Sequence, residues 1–448
     1  RSLTDINDGM NQYIPSTATG LVAAYGFNEG TGSTAYNLVY TGSNSTDLAL
    51  TGTASWPTVA ITSTVAPYTY VTFPRSILNL SGGWKVPDSV TAVTAVVVAG
   101  GGGGNAQSDG TGWMSGGGGA GGYQYFTTNV TAGKYETVTV GLGGRRGAAI
   151  AAQDTNFQTP TNGQNSKFLN RTSVGGGAGG GNNTGGASGG SGGGGGTYGG
   201  AGGGATSGQG NAGGAAASQC CASGGGGGAG SAGGSATSAG NSTGTGGAAG
   251  DGVLNPLYIS GTNEQYLAAG GAGGGLTTAG SAGTKGGTAF SVSGTANSGS
   301  GGGGGGGGAT RYDAGWGGSG VILVRYITAI KPAFTYPKNA YLNVGMTETF
   351  TTNVAQDSAT VGLTRTFRWE SSTTGSNGTF SLIKQGTGAA NAAFAWIPPD
   401  TATSGSNYVY RVIVTDSDTA GLFIQDTSTP VFAMINKTLS LSSTSYIS

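Results

Sequence analysis

"GGGGGGGG" (residues 301–308) stands between the polar stretch "TANSGS" and the segment "ATRYDAGWGGSGVILVRY". Glycine has no side chain to pack, and ordering its backbone costs more entropy than ordering that of any other residue. Such a run is therefore either a flexible spacer or part of a regular array in which backbones pack directly against each other. The sequence around it favours the array.

The octet ends a glycine-rich zone over residues 99–320 of a chain of 448 residues that contains 98 glycines. Polyproline-II helices have three residues per turn and no internal hydrogen bonds, so their N–H and C=O groups can bond sideways to neighbours. Glycine lets such backbones approach closely, with Cα–H···O contacts as further support. We therefore predict an ordered two-dimensional array of polyproline-II helices.

Two other structures compete with this array. A collagen triple helix needs a strict G-X-Y repeat rich in proline, but the zone lacks that repeat and has no proline between Pro160 and Pro256. A flexible linker fits the composition, because no charged residue lies between Arg171 and Asp251. We favour the array, and expect the octet to be one rod that leads into "GSGVILVRY", a strand paired with "VTAVTAVVVAG" (residues 90–100).

The composition argues against several classes of function. Charged residues make up 8% of the chain, against roughly 25% in an ordinary domain, and the net charge is zero, which speaks against a nucleic-acid partner. The chain has no histidine, which removes Ser-His-Asp and Cys-His catalysis and histidine-bearing zinc sites. No apolar run reaches the roughly 20 residues of a membrane helix. We expect no enzyme activity, cofactor, metal site or membrane span.

Three segments resemble the glycine-rich domain of phage tail fibre adhesins and bacterial surface proteins. They are "GGWKVPDSVTAVTAVVVAGGGGG" (residues 82–104), "GGGGAGGYQYFTTNVTAGKYETVTVGLGG" (residues 116–144) and "GGSGVILVRYI" (residues 317–327). The resemblance implies a few β-strands around a bed of polyproline-II helices, whose loops at the helix tips contact a host receptor. We assign this domain to residues 61–330.

Residues 1–60 contain "GLVAAYGFNEGTGSTAYN" (residues 20–37) and "DLALTGTASW" (residues 47–56), which resemble the first strands of a laminin-G-like, concanavalin A-type jelly roll. Leu21, Ala23 and Tyr25 alternate onto one face of a strand, together with Phe27. Two strands cannot bury such a face alone. We expect them to join another sheet, within this chain or in a neighbouring subunit.

Residues 331–448 contain alternating strands separated by turns, as in a β-sandwich. "FAWIPP" and "YVYRVIVTDSD" resemble bacterial cadherin-like or immunoglobulin-like modules. Asp416 and Asp418 fit either a calcium site or a solvated turn, and the turn is favoured because calcium takes 6–8 oxygen ligands. The predicted core residues are Trp369, Phe394, Trp396, Tyr410 and Ile413.

Two segments interrupt the glycine zone with aromatic and polar residues, residues 148–173 and residues 251–270. They fit exposed tips that contact a receptor or glycan, and they fit equally well strands that cap the bed. The candidate contact residues are Asn156, Phe157, Phe168, Tyr258 and Tyr266.

The sequence does not decide the state of two kinds of covalent modification site, the cysteines and the glycosylation sequons. Cys220 and Cys221 are the only cysteines, and they fit free thiols, a vicinal disulfide or bridges to another chain. N-x-[ST] sequons permit glycosylation but are about as frequent as composition alone would give. They begin at Asn44, Asn79, Asn129, Asn170, Asn182, Asn241, Asn377 and Asn436.

These features together predict an all-β protein with a large glycine-rich polyproline-II-type region, β-sandwich modules and little or no helix. The function expected from them is an extracellular structural subunit of a filament or of a surface or virion appendage. Such a subunit would assemble with copies of itself through β-strand contacts. The alternative is a tip adhesin that recognises a host receptor or glycan through loops of the glycine-rich domain.

Overall fold

The fold is taken from a computed structural model of the chain. It is all-β, as the sequence predicts, and the described residues contain one short 3₁₀ turn, Ala389–Asn391. No helix in the described part of the chain is long and apolar enough to cross a membrane. The structure describes residues 34–35, 48–49, 60–65, 67–74, 83–88, 90–106, 113–147, 159–240, 242–257, 265–307, 311–327, 332–336, 340–343, 347–354, 363–397, 407–419, 421 and 423–436.

The first seventeen described strands precede or surround the glycine-rich zone. They are β1 Thr34–Ala35, β2 Leu48–Ala49, β3 Ile61–Val65, β4 Tyr68–Phe73, β5 Trp84–Lys85, β6 Ala92–Val98, β7 Trp113–Met114, β8 Tyr123–Asn129, β9 Tyr135–Glu136, β10 Val138–Thr139, β11 Ser166–Phe168, β12 Arg171–Ser173, β13 Val253–Leu254, β14 Tyr266–Leu267, β15 Gly306–Gly307, β16 Arg311–Tyr312 and β17 Val321–Ile327. Of the predicted jelly-roll segment, only the short β1–β2 pair is described, and Leu21, Ala23, Tyr25 and Phe27 lie outside the described residues.

A five-stranded antiparallel sheet with the order β3-β4-β17-β6-β8 supports the glycine-rich zone. β17 pairs with β6 from Val321 opposite Val98 to Arg325 opposite Thr94, which confirms the predicted pairing of "VILVRY" with "VTAVTAVVVAG". Every residue of β6 is buried. A continuous apolar strand of this kind is expected where both faces of a sheet are covered.

Short strands and loops cover the two faces of this sheet. On one face Phe168 of β11 and Trp84 of β5 pack with the apolar side chains of the sheet, and their rings are 6.0 Å apart. On the other face Leu257 and Leu267, from the segment that carries the β13–β14 hairpin, pack against Val96. The described parts of both interrupting segments therefore contribute caps to the sheet.

Residues 100–105 show how the glycine bed is held together. Gly100 and Gly103 donate their N–H groups to one neighbouring segment, at N···O distances of 3.0 and 3.1 Å. Gly101 and Gly104 donate to a second segment, and a third segment accepts the remaining two N–H groups. Each neighbour is met at every third residue, which is the repeat of a polyproline-II helix.

The carbonyl groups of these residues follow the same repeat. Gly100 and Gly103 accept from Gly176 and Gly179, and the other carbonyls accept from two further segments. The neighbours that accept run antiparallel and those that donate run parallel, so six hydrogen-bonded segments surround residues 100–105 across the rod axis, which is the arrangement of a two-dimensional array of rods. The antiparallel neighbours are residues 116–119, 161–164 and 315–318, and the parallel ones are residues 144–147, 176–179 and 302–305.

The glycine octet belongs mainly to this bed. A Cβ added at Gly304 would lie closer than 3.0 Å to the carbonyl oxygen of Ser115, and one at Gly301 would meet Gly118 in the same way. Residues 306–307 leave the rod and pair as β15, so the expectation of one rod across the octet is wrong at that point. The change occurs because Gly306 pairs with Met114 and Tyr312 in a small sheet.

The chain runs back and forth between two ends of the bed. Residues 100–105 leave the C-terminal end of β6, and residues 115–122 return to β8, so the five-stranded sheet lies at one end. The opposite end, which we call the distal end, carries β7, β15 and β16 with the turns at residues 197–199, 218–221 and 290–291.

The C-terminal part of the chain forms two facing sheets, with the orders β18-β20-β23 and β19-β26-β24-β21-β22, and β25 also pairs with β24. β19 and β26 are parallel, and the other pairs are antiparallel. The strands are β18 Pro332–Tyr336, β19 Ala340–Asn343, β20 Glu348–Val354, β21 Thr364–Ser372, β22 Ser381–Thr387, β23 Ala393–Trp396, β24 Asn407–Ser417, β25 Phe423–Thr427 and β26 Val431–Asn436.

Two of the predicted core residues of this module, Trp369 and Tyr410, are fully buried. Both belong to one hydrophobic cluster between the two sheets. Ile413 is only half-buried, and the prediction of a core position for it is wrong. It alternates with the buried Val412 and Val414, so its side chain lies on the outer face of the sheet. Phe394 and Trp396 lie in β23, and their side chains are outside the described residues.

The glycine-rich domain and the C-terminal module share one hydrophobic cluster. Ala92 and Ile327 belong to the same core as Trp369. The Tyr68 hydroxyl donates to Asp418 at 3.0 Å, and Asp418 also pairs with Arg325 at 3.4 Å. The apolar and polar contacts together hold the two parts against each other.

Asp416 and Asp418 do not form the predicted solvated turn. Asp416 is 1% exposed and receives two hydrogen bonds of 2.8 Å from Arg365, while Asp418 lies at the junction with Arg325. Each carboxylate is paired with a guanidinium, which is the usual condition for burying a charge.

Candidate functional site

A small sheet at the distal end, with the order β16-β15-β7, forms the base of the candidate site. Gly306 lies between Met114 and Tyr312, and Gly307 lies between Trp113 and β16. Two strand spacings separate the outer strands by about 9.6 Å. The middle strand has no side chains, but Gly306 and Met114 are both buried, and the Met114 sulfur lies beside the position that a Cβ of Gly306 would take.

Aromatic side chains flank this small sheet. Tyr198 is 42% exposed and packs edge-on against Trp113, with ring centroids 6.3 Å apart. Tyr312 is 47% exposed and packs against Phe290 at 5.6 Å. An exposed aromatic ring offers a flat apolar surface, and its tyrosine hydroxyl can donate or accept a hydrogen bond. We call Trp113, Tyr198, Phe290 and Tyr312 the distal aromatic face.

The backbone around Tyr198 is fixed by hydrogen bonds between turns. Tyr198 has a φ of +65°, in the left-handed region that most residues avoid. Its N–H donates to Gln219 at 3.4 Å, and the N–H of Gly199 donates to Ala217 at 2.8 Å. The neighbouring turn thus positions the tyrosine, and the side chain points to the solvent from a constrained loop.

Cys220 and Cys221 lie in that neighbouring turn and form a vicinal disulfide, with their Cα atoms 3.7 Å apart. Both residues are buried, and Cys221 has a φ of +89°. The carbonyl of Cys221 accepts a hydrogen bond of 2.9 Å from Leu276, which is 36% exposed. Of the three possibilities left by the sequence, the structure has the vicinal disulfide, which joins two consecutive residues within the turn next to Tyr198.

One ion pair lies among the described side chains next to this face. Arg146 pairs with Asp313 at 3.1 Å, one residue beyond Tyr312. No group of three or more His, Cys, Asp or Glu side chains is placed to hold a metal ion in the part of the chain that the structure describes. The distal aromatic face is thus equipped to stack on a ligand and to form hydrogen bonds with it.

The two sequence-predicted contact residues that the structure describes, Phe168 and Tyr266, do not belong to this face. Phe168 is fully buried in the sheet core, so the prediction that it contacts a receptor is wrong, because β11 turns its ring inwards onto Trp84. Tyr266 is half-buried in β14, opposite Leu254, at the sheet end of the bed. Asn156, Phe157 and Tyr258 lie outside the described residues.

Among the sequons, Asn129, Asn170 and Asn377 are exposed and Asn182 is half-buried. The side chain of Asn436 is not among those described, and Asn44, Asn79 and Asn241 lie outside the described residues.

The sequence reasoning missed Trp113, Tyr198 and Tyr312. Each is an aromatic residue close to a glycine run, in "TGWMSGGGG", "GGGTYGG" and "TRYDAGWGG". Such a residue cannot fit inside a rod where a Cβ already collides with a neighbouring backbone. A single aromatic residue between glycine runs therefore predicts the end of a polyproline-II segment.

The chain is thus an all-β protein in which a five-stranded sheet supports a bed of glycine segments that pack backbone against backbone. Residues 79–327, more than half of the chain, match the family described as a glycine-rich domain, and the chain belongs to this family. No curated protein matches the chain.

Proposed function

We propose that the protein is a structural subunit of an extracellular filament or of a surface or virion appendage. The observation that carries this proposal is the glycine bed, in which backbone hydrogen bonds join a rod such as residues 100–105 to six neighbouring segments around its axis. Such a bed resists bending in every direction, because displacing one segment breaks bonds to all its neighbours. A rigid block of this kind suits a load-bearing spacer.

A subunit also needs a contact to its neighbours. β3 is an edge strand, and all of its residues are exposed, including Ile61 at 58% and Val65 at 45%. An exposed edge with apolar side chains can accept a further strand. We propose that copies of the chain associate through this edge and through the strands that precede it, without an enzymatic role.

Assembly can be tested on the full chain by light scattering and negative-stain microscopy over a range of concentrations. The proposal predicts fibres or oligomers for the natural chain. A variant with Thr64→Pro removes an N–H of the edge strand that faces away from β4, and Thr127→Pro in β8 provides a matched change at the opposite edge. Loss of assembly with Thr64→Pro alone supports the proposal, and a chain that stays monomeric at all concentrations contradicts it.

The distal aromatic face favours a second candidate function, recognition of a host receptor or glycan at a fibre tip. Tyr198 and Tyr312 place two exposed rings at the distal end, one packed on Trp113 and the other on Phe290. Binding of the full chain to intact cells tests this candidate. Tyr198→Ala with Tyr312→Ala is expected to reduce binding at least tenfold, whereas Tyr135→Ala, equally exposed at the sheet end, leaves it unchanged. Equal binding by all variants would exclude this role.

A further inference from the structure

The outer face of the C-terminal module carries a cleft of about 330 Å³, remote in sequence from the glycine bed. It lies across β22, β21, β24 and β25, which are adjacent strands in one sheet. Six of its seven lining residues are polar or charged types, from Arg368, Glu370 and Gln385 on one side to Thr415 and Gln425 on the other. A few convergent polar groups in a concave surface can fix the orientation of a bound ligand.

Strand register explains why these side chains converge. Arg368 of β21 lies opposite Gln385 of β22 on one side and Ile413 of β24 on the other. Thr415, two residues along β24, lies opposite Gln425 of β25. Alternate residues of a strand share a face, so two rows of polar side chains cross the sheet side by side, with Ile413 between them as a small apolar surface.

The buried carboxylate of Glu370 orients two arginine side chains at the cleft. The side chain of Glu370 is 4% exposed and accepts from Arg368 Nε at 2.6 Å and from Arg411 at 2.7 Å. Burial alone would raise the pKa of Glu370, but the hydrogen bonds from Arg411 and Arg368 hold it below its usual value. Arg411 is further fixed over the ring of Phe380, 3.9 Å from its centroid.

This arrangement leaves one positive charge in excess, because two guanidinium groups share one carboxylate. The Arg368 side chain is 47% exposed, and its Nε bond to Glu370 orients the rest of the guanidinium. An oriented guanidinium is the group that best binds a carboxylate through two parallel hydrogen bonds. The threonine hydroxyls and glutamine amides next to it can donate to and accept from ligand hydroxyl groups.

We infer that this cleft binds an acidic oligosaccharide, with a sugar carboxylate on Arg368 and sugar hydroxyls on Gln385, Thr415 and Gln425. A peptide is a poorer fit, because peptides add to sheet edges or fill apolar grooves, and this cleft is a polar sheet face. The site is separate from the distal aromatic face and does not depend on the function proposed for that face.

The test measures binding of α-1,4-linked trigalacturonate to the full chain by isothermal titration calorimetry at low salt. Its fully methyl-esterified form keeps the ring hydroxyls and loses the charges. We expect the acid to bind about tenfold or more tightly than the ester, since hydrogen bonds to charged groups are the stronger ones. Equal affinities would overturn the acidic ligand, and no binding of either sugar at millimolar concentration would overturn the site.

Variants locate the site. Arg368→Gln is expected to weaken trigalacturonate binding roughly 10- to 100-fold and to remove most of its salt dependence. Gln425→Ala changes a lining residue that is not part of the ion-pair network, so it tests the cleft without disturbing Glu370, and we expect weaker binding here as well. Arg171→Gln, which alters a cation that stacks on Phe126 in the other domain, is the control. Binding that survives both cleft variants would contradict the assignment.

Discussion

Substitution of Gly304 by alanine tests whether glycine is required by packing in the bed. Gly304 is buried, and a Cβ at this position would lie closer than 3.0 Å to the carbonyl oxygen of Ser115. The obstacle is backbone rather than a flexible side chain, so the rod must shift. Gly304 donates to Ala272 and accepts from Ser291, both at 2.9 Å.

The cost follows from the bonds that a shift would weaken. Residues 303–305 each donate one backbone hydrogen bond and accept another. At about 1 kcal/mol net per bond, losing half of them costs roughly 3 kcal/mol. Overpacking of a dense interior adds about 1–3 kcal/mol. We therefore expect Gly304→Ala to lower the free energy of unfolding by about 3 kcal/mol or more.

The matched control is Gly204→Ala. Gly204 is exposed, and an added Cβ would have Ser188 Oγ at 3.4 Å as its nearest neighbour, an ordinary contact. There alanine restricts the unfolded chain and should be neutral or stabilising by about 0.5 kcal/mol. In calorimetry, Gly304→Ala should lower the Tm by roughly 6–12 °C relative to Gly204→Ala. Equal Tm values for the two variants would refute the packing argument.

Three further predictions concern ionisation and the disulfide. Because the folded-state pKa of Glu370 is lowered, its contribution to stability is present above the unfolded pKa and is lost as pH falls through the folded pKa. Lowering the pH should therefore reduce the free energy of unfolding of the natural chain more steeply than that of the Glu370→Gln variant. The same pH dependence in both chains would contradict this. Burial and the hydrogen bond to Asp418 raise the pKa of Tyr68 to about 12, so its contribution is present below pH 10 and is lost as pH rises through 12. Absorbance titration should show two tyrosines with a pKa of about 12, Tyr68 and Tyr123, and one of these transitions should disappear in Tyr68→Phe. An unchanged titration would exclude the hydrogen bond of the Tyr68 hydroxyl. Reduction of Cys220 and Cys221 should add 2 Da to the mass of the unreduced chain, and alkylation of the native chain without reductant would show free thiols instead.

The sequence predicted the parts of the fold that carry side-chain patterns. The run of valines in β6 and the alternation in β17 were enough to predict that these strands pair. Trp369 and Tyr410 were predicted as core residues because large aromatic residues in an alternating strand usually face the interior. Ile413 was misassigned because its strand carries apolar residues on both faces, so alternation does not say which face is inside.

The candidate site could not be predicted in the same way. Glycine rods have no side-chain period, so the sequence does not say at which end of a rod Tyr198 or Tyr312 lies. Phe168 looked like a loop residue, and its burial depends on contact with Trp84, which is distant in the sequence. Asp416 looked solvated, but its partner Arg365 lies 51 residues away. Each error comes from a long-range contact that local patterns do not contain.

Native-state hydrogen exchange of the glycine amides tests most directly whether the bed is an ordered core. The N–H groups of residues 100–105 and 301–305 are bonded to neighbouring backbones in the structure. They should exchange as slowly as the amides of β6, because opening one rod requires breaking bonds to several others. Exchange at the rate of an unstructured peptide, with β6 still protected, would show that the glycine-rich zone is a flexible spacer and would contradict the account.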